Sequence, residues 1–161
     1  MNASESQWVA VSGGLDLAPA SARAVSLAGL DVVIWRSQAG AVQAWENRCP
    51  HRGMRLSFGQ VRADRLVCRY HGWAYDQAGR CQYIPASPKM APPAAAGGAA
   101  YACRETLGLS WVNRAGDEEA DLENLARQSG FADSALFIKS IYVDGALEAL
   151  AGFFEGNIVM P

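Results

Sequence analysis

The sequence is short of histidine, of charge and of long apolar runs. Only two histidines, His51 and His71, occur in 161 residues. Whatever centre they serve takes the whole supply, so these residues cannot build a second histidine-dependent site. No apolar run approaches the roughly eighteen residues that span a bilayer. The polar start, Met1 to Gln7, lacks the pattern of a secretion signal. The expectations are a cytoplasmic protein with no membrane partner. Charged residues make up 19% of the chain and hydrophobic ones 50%, enough for a packed core in one domain. The net charge is −2 and no recognition motif is present, which argues against a nucleic-acid partner.

Both histidines stand beside cysteines. The chain reads Cys49-Pro50-His51-Arg52-Gly53 and then, after a spacer, Cys68-Arg69-Tyr70-His71-Gly72-Trp73. Sixteen residues separate His51 from Cys68. Thiolate with imidazole suits iron–sulfur clusters, zinc and copper. Each arm is too short for a helix turn or a strand pair, so the arms read as two loop tips. Gly53 and Gly72 permit the backbone turns such tips need. A tetrahedral zinc site is one alternative, although zinc fingers usually pair Cys with Cys and His with His. Here each arm carries one of each, which matches a 2Fe–2S centre with both cysteines on one iron and both histidines on the other.

These two arms, with Ala74-Tyr75-Asp76 behind the second, resemble the Rieske domain of Rieske-type non-haem iron oxygenases, over roughly residues 8–113. Respiratory-chain Rieske proteins place two more cysteines where this chain has Met54 and Tyr70, so the likeness is not to them. Small Rieske ferredoxins resemble it less well, because His-Gly-Trp followed by Tyr-Asp is more typical of oxygenases. The resemblance implies a 2Fe–2S cluster on Cys49, His51, Cys68 and His71. It also implies that the Tyr75 hydroxyl bonds a ligand sulfur and that Ile84-Pro85 covers the cluster from a third side. A plain surface connection is the other reading of Ile84-Pro85. Trp73 stands where high-potential relatives place a serine donor, so the expected potential is low for the class, roughly −150 to 0 mV. Arg52 completes the residues expected around the ligands.

The rest of the chain reads as an all-β domain of antiparallel sheets, residues 1–115, with the two cluster loops as a subdomain. Short strands are expected at Gln7–Val11, with Ser12-Gly13-Gly14 as a break, and at Ala22–Leu27. Leu30–Arg36 is the strongest strand, carrying Val32, Val33, Ile34 and Trp35 in succession. Ala41–Glu46 returns from it, and Trp35 and Trp45 read as core. Gln60–Ala63 and Arg65–Val67 form a hairpin turning at Asp64, and Ala74–Asp76 pairs with Arg80–Tyr83. Ala91–Ala100 reads as a mobile surface loop. Tyr101–Glu105 and Leu109–Asn113 close the sheet. Residues 116–161 read as a short α/β extension, possible start of a further domain: a helix with Leu122 and Leu125 on one face, a strand at Phe137–Val143 and a helix at Gly145–Phe154. Cys81 and Cys103 remain beyond the motif. Counting allows a disulfide between them, but a reducing compartment favours two free, buried thiols.

Residues 48–80 hold seven arginines against Asp64 and Asp76, a net +5, while the remainder is −7. One reading is solvated loop arginines. The other is a face, formed by Arg48, Arg52, Arg55 and Arg69, that docks an acidic redox partner. An oxygenase needs, besides the cluster, an iron held by two histidines and a carboxylate, and no histidine is left for it. The expected function is one-electron transfer in a Rieske oxygenase system, with a reductase or oxygenase as partner, separate or fused. The alternatives are a self-standing Rieske ferredoxin, an iron–sulfur sensor and a structural zinc module.

Overall fold

The computed structural model describes residues 8–116 and 119–128. Ten strands form two antiparallel sheets. The larger has six strands in the order β1 (Val9–Gly13), β10 (Leu109–Asn113), β9 (Ala100–Thr106), β4 (Val42–Glu46), β3 (Leu30–Arg36) and β2 (Ser21–Leu27). The smaller has four in sequence order: β5 (Gln60–Arg62), β6 (Arg65–Val67), β7 (Ala74–Tyr75) and β8 (Cys81–Tyr83). β4 pairs with β9 through Ala44–Tyr101 and Trp45–Ala100, so the small sheet and both loops are one insertion between neighbouring strands. The expected all-β class and its two-loop subdomain are what the structure shows.

β3 explains how the halves join. Successive side chains alternate faces. Val32 and Ile34 enter one core with Leu17, Leu27 and Val112. Val33 and Trp35 enter another, shared with Trp45, Leu56, Leu66, Tyr75 and the two motif cysteines. An apolar run therefore serves a strand buried on both faces. Trp35 and Trp45 meet edge-on at 5.2 Å, and Trp45 meets Tyr75 at 6.2 Å. The sulfurs thus rest on a core that spans both sheets.

Most strand bounds shift by a residue or so from the sequence reading, and three places differ in kind. β1 runs on to Gly13, because Ser12 and Gly13 pair with Ser110 and Leu109 past an irregularity after Ala10. The β5–β6 turn is made by Ala63 in a left-handed conformation (φ 51°) ahead of Asp64. The stretch 91–100 is tied down: Ala96 is buried in the shared core, Gly98 N–H bonds Gly79 O at 2.8 Å, and Glu46 N–H bonds Ala99 O at 2.9 Å. Its small residues permit close approach to the body. A helix, α1 (Leu122–Gln128), follows the sheet, and its Leu122 is buried with Trp8, Leu109 and Trp111, with Leu125 against them. The strand expected at 137–143 and the helix at 145–154 lie outside the described residues.

Candidate metal centre

The two loops share one backbone design. Cys49 N–H bonds Met54 O at 2.8 Å, and Gly53 N–H bonds Cys49 O at 2.8 Å. In the second loop Cys68 N–H bonds Trp73 O at 2.9 Å, and Gly72 N–H bonds Cys68 O at 3.0 Å. Each turn closes on a glycine four residues after its cysteine, with φ 71° at Gly53 and 70° at Gly72, where a side chain would be strained. At Gly72 a Cβ would also lie 3.0 Å from Pro85 Cγ. Pro85 thus sits against the second loop.

Polar side chains hold the base of each loop. Asn47 N–H bonds Asp31 O at 2.9 Å, and its side-chain amide bonds Asp31 Oδ1 at 2.9 Å and Ser57 Oγ at 3.0 Å. Ser57 N–H returns to Asn47 Oδ1 at 2.8 Å, and Arg55 reaches Asp31 at 2.7 Å. Behind the second loop, Asp76 Oδ1 accepts from the N–H groups of Ala78 and Arg80 at 3.0 Å each, and Oδ2 from the Arg80 and Gln82 side chains at 2.9 and 2.8 Å. Burial alone would raise both carboxyls. The hydrogen bonds and charges of Arg55 and Asn47 at Asp31, and of Arg80 and Ala78 at Asp76, outweigh it and hold each below its ordinary 3.8.

The structure brings all four motif residues together. Cys49 and Cys68 are 2% and 3% exposed, with their sulfurs within hydrogen-bonding reach of each other. The His51 and His71 rings lie outward of them, 4.6 Å apart at 66°. Trp73 stacks flat on His51 at 4.4 Å and 8°, joining the second loop to the first loop's histidine. Tyr70, 55% exposed, lies 3.9 Å from the His71 ring. The Tyr75 hydroxyl is 3.1 Å from Cys49 Sγ. Burial pushes the Tyr75 phenol well up, and the Cys49 sulfur adds to this, so the hydroxyl keeps its proton as a donor. Burial also raises the Cys68 thiol, against the backbone N–H groups of Tyr70 and His71, which reach its sulfur. Desolvation first, then His71 and Arg52, hold the His51 imidazole below its ordinary pKa.

Sequence reasoning missed the N–H groups on Cys68 and the clamps at Asn47 and Asp76; side chain-to-backbone bonds of this kind leave no spacing signal. Arg55, expected on the basic face, is ion-paired with Asp31 and lies over the Phe58 ring at 5.5 Å. Cys81 and Cys103 are free thiols, the first buried and the second half-buried. Burial pushes the Cys103 thiol up to about 12, so it stays protonated and inert.

The donor set fits a dinuclear cluster. Among the described residues no three of His, Cys, Asp or Glu converge as a single-ion site requires. A 2Fe–2S centre asks each iron for only two protein ligands, and the site offers two inward sulfurs and two outward imidazoles. A hydroxyl and two N–H groups stand ready for the sulfurs, as thiolate ligands need.

Comparison with known proteins agrees. The family described as the Rieske [2Fe-2S] domain matches residues 7–96. The oxidoreductase NdmD of Pseudomonas putida is 40% identical over 107 residues, 66% of this chain and 18% of that protein. The methylxanthine N1-demethylase NdmA of Pseudomonas putida is 45% identical over 69 residues, 43% of this chain and 20% of that protein. The solved structure of Pseudomonas putida CBB5 NdmA aligns with a TM-score of 0.64 at 33% identity, over 68% of this chain and 34% of that one. That of dicamba monooxygenase aligns with 0.64 at 25% identity, over 70% of this chain and 35% of that one. The chain spans about a fifth of the curated relatives' length. Two loops of one design, their sulfurs turned inward and their imidazoles outward, agree with the match over residues 7–96: the chain belongs to the Rieske [2Fe-2S] domain family, which implies a Rieske-type 2Fe–2S cluster.

Proposed function

We propose that this chain is a one-electron transfer domain of a Rieske oxygenase system. In this reading Cys49 and Cys68 hold one iron of the cluster, and His51 and His71 hold the other. When bound, the cluster supplies a reversible one-electron carrier. The polypeptide does the rest. Tyr75 and the backbone of Tyr70 and His71 donate to the sulfurs, Trp73 fixes the His51 ring plane, and Pro85 rests on the second loop. Cys49 and Cys68 are shielded within the shared core. The observation that carries the reading is this polarity, buried sulfurs beneath two imidazoles at the surface, which makes the histidine edges the electron port.

Residues 1–115 are read as the Rieske domain and 116–161 as an extension, whose α1 rests on Trp8 and Trp111. The electron's destination is a mononuclear iron that these residues do not hold. The partner is then a reductase or an oxygenase, on a separate chain or the same one. The names of NdmD, an oxidoreductase, and NdmA, a demethylase, support either side of such a system. Among the described residues no helix is long and apolar enough to cross a membrane. The reading places the domain in the cytoplasm, where free thiols such as Cys81 and Cys103 persist.

The test is metal analysis with spectroscopy. The purified chain is expected to hold about two irons and two acid-labile sulfides, with visible absorption that dithionite bleaches. Alanine at Cys49, His51, Cys68 or His71 removes the cluster, and serine at Cys81 or Cys103 leaves it. A colourless protein with one zinc, or an intact cluster in His71→Ala, refutes the assignment.

A further inference from the structure

The structure divides the seven arginines of residues 48–80. Arg55 is tied to Asp31, Arg80 to Asp76, and Arg62 bonds Gln60. Arg48, Arg52, Arg65 and Arg69 make no side-chain hydrogen bond or ion pair among the described residues. They fall into two pairs. Arg48 and Arg52 line, with His51, a groove of ≈ 470 Å³ walled by Gly97, Gly98 and Ala99. Arg65 and Arg69 line, with Cys68, Gly72 and Pro85, a groove of ≈ 1160 Å³. One groove follows each loop: His51 lines the first, and Cys68 and Gly72, which flank Tyr70 and His71 in sequence, line the second.

Like charges along these grooves repel, and none of the four is ion-paired among the described residues. The geometry points to a docking surface for an acidic protein face, whose carboxylates enter the two grooves on either side of an exposed redox cofactor edge. It rests on the electron-transfer reading above and adds the partner's chemistry. A guanidinium fork matches a carboxylate with two parallel hydrogen bonds, and four forks on two sides fix orientation as well as attraction. Glu46 in the first groove, and Asp64 and Asp76 in the second, interrupt the positive field. Separately placed carboxylates fit that pattern, and the dense charge of a nucleic acid does not. The attraction raises association rate and is screened over about 8–10 Å at physiological salt.

Small redox probes of opposite charge test it on the cluster-loaded chain. Dithionite-reduced protein is mixed by stopped flow with ferricyanide, an anion, or with tris(phenanthroline)cobalt(III), a cation. Ferricyanide oxidation is expected to slow as salt rises, and cobalt oxidation to quicken. Arg52→Glu and Arg69→Glu each lower the ferricyanide rate several-fold at low salt and raise the cobalt rate, with unchanged absorption. Arg23→Glu, outside both grooves, moves neither rate comparably. Poly-L-glutamate slows ferricyanide oxidation of the wild type and has less effect on the two variants. Probes that respond alike to salt, variants that match wild type, or indifference to poly-L-glutamate overturn the docking surface. A chain that binds no cluster refutes instead the electron-transfer reading beneath it.

Discussion

Tyr75 and Trp73 touch the motif residues in different ways, and single substitutions separate them. The Tyr75 hydroxyl, 3.1 Å from Cys49 Sγ, strengthens its bond as the sulfur gains charge. Reduction adds negative charge, so the bond favours the reduced state. About 1 kcal/mol of such preference is worth about 40 mV for one electron. Tyr75→Phe is therefore expected to lower the midpoint potential by tens of millivolts while keeping the cluster, as direct electrochemistry would read. An unmoved potential would leave this hydroxyl as packing only. Trp73 offers no hydrogen bond to a sulfur; it stacks on His51. Trp73→Ala is expected to free that ring and change the g-anisotropy of the reduced protein's EPR spectrum, with Trp73→Phe close to wild type. The four motif residues were legible in the sequence because each Cys has its His within three residues. It could not expose the Trp73–His51 stack, because twenty-one residues of intervening chain set that distance.

Turns and clamps decide how firmly the elements hold the site. β2 and β3 join through Ala28-Gly29, with φ 48° and 81°, and β9 and β10 through Leu107-Gly108, with φ 52° and 71°. Both first positions are left-handed, where Asn is tolerated far better than Ala or Leu. Ala28→Asn and Leu107→Asn are each expected to stabilise the fold by up to about 1 kcal/mol, read as a raised denaturation midpoint. The strands were legible from alternation and turn residues, but the clamps were not. Asp76 looked like one more strand residue, yet it collects four hydrogen bonds. Its carboxyl titrates below the ordinary 3.8, as does that of Asp31. Folded carboxyls so depressed add stability that is fully present above about pH 4 and lost as pH falls through their folded values. Chemical denaturation between pH 6 and pH 3 is expected to show that loss. Asp76→Asn would be less stable at pH 6 and would fall less steeply below pH 4. Equal slopes in the two proteins would separate Asp76 from acid sensitivity.

At the scale of the molecule, the supply of histidine sets what the chain can do. Activating dioxygen at a mononuclear iron takes two histidines and a carboxylate. These 161 residues contain two histidines, and they lie edge-on to each other, 4.6 Å apart, beside two buried cysteines. In the proposed reading both serve the cluster, and moving either to a second iron would dismantle that centre. The stretches that match make up only 18% and 20% of NdmD and NdmA. The purified, cluster-loaded chain is therefore expected to take and release an electron yet form no product from oxygen and an N-methyl or aromatic substrate, even with ferrous iron added. Chromatography with mass detection would check this, with electron flow followed separately by the visible band. Hydroxylated or demethylated product from this chain alone would mean that oxygen is activated by groups other than a histidine pair. No product alone, but product once an oxygenase component is added and only while the four motif residues are intact, would show the electron leaving through the His51–His71 tip.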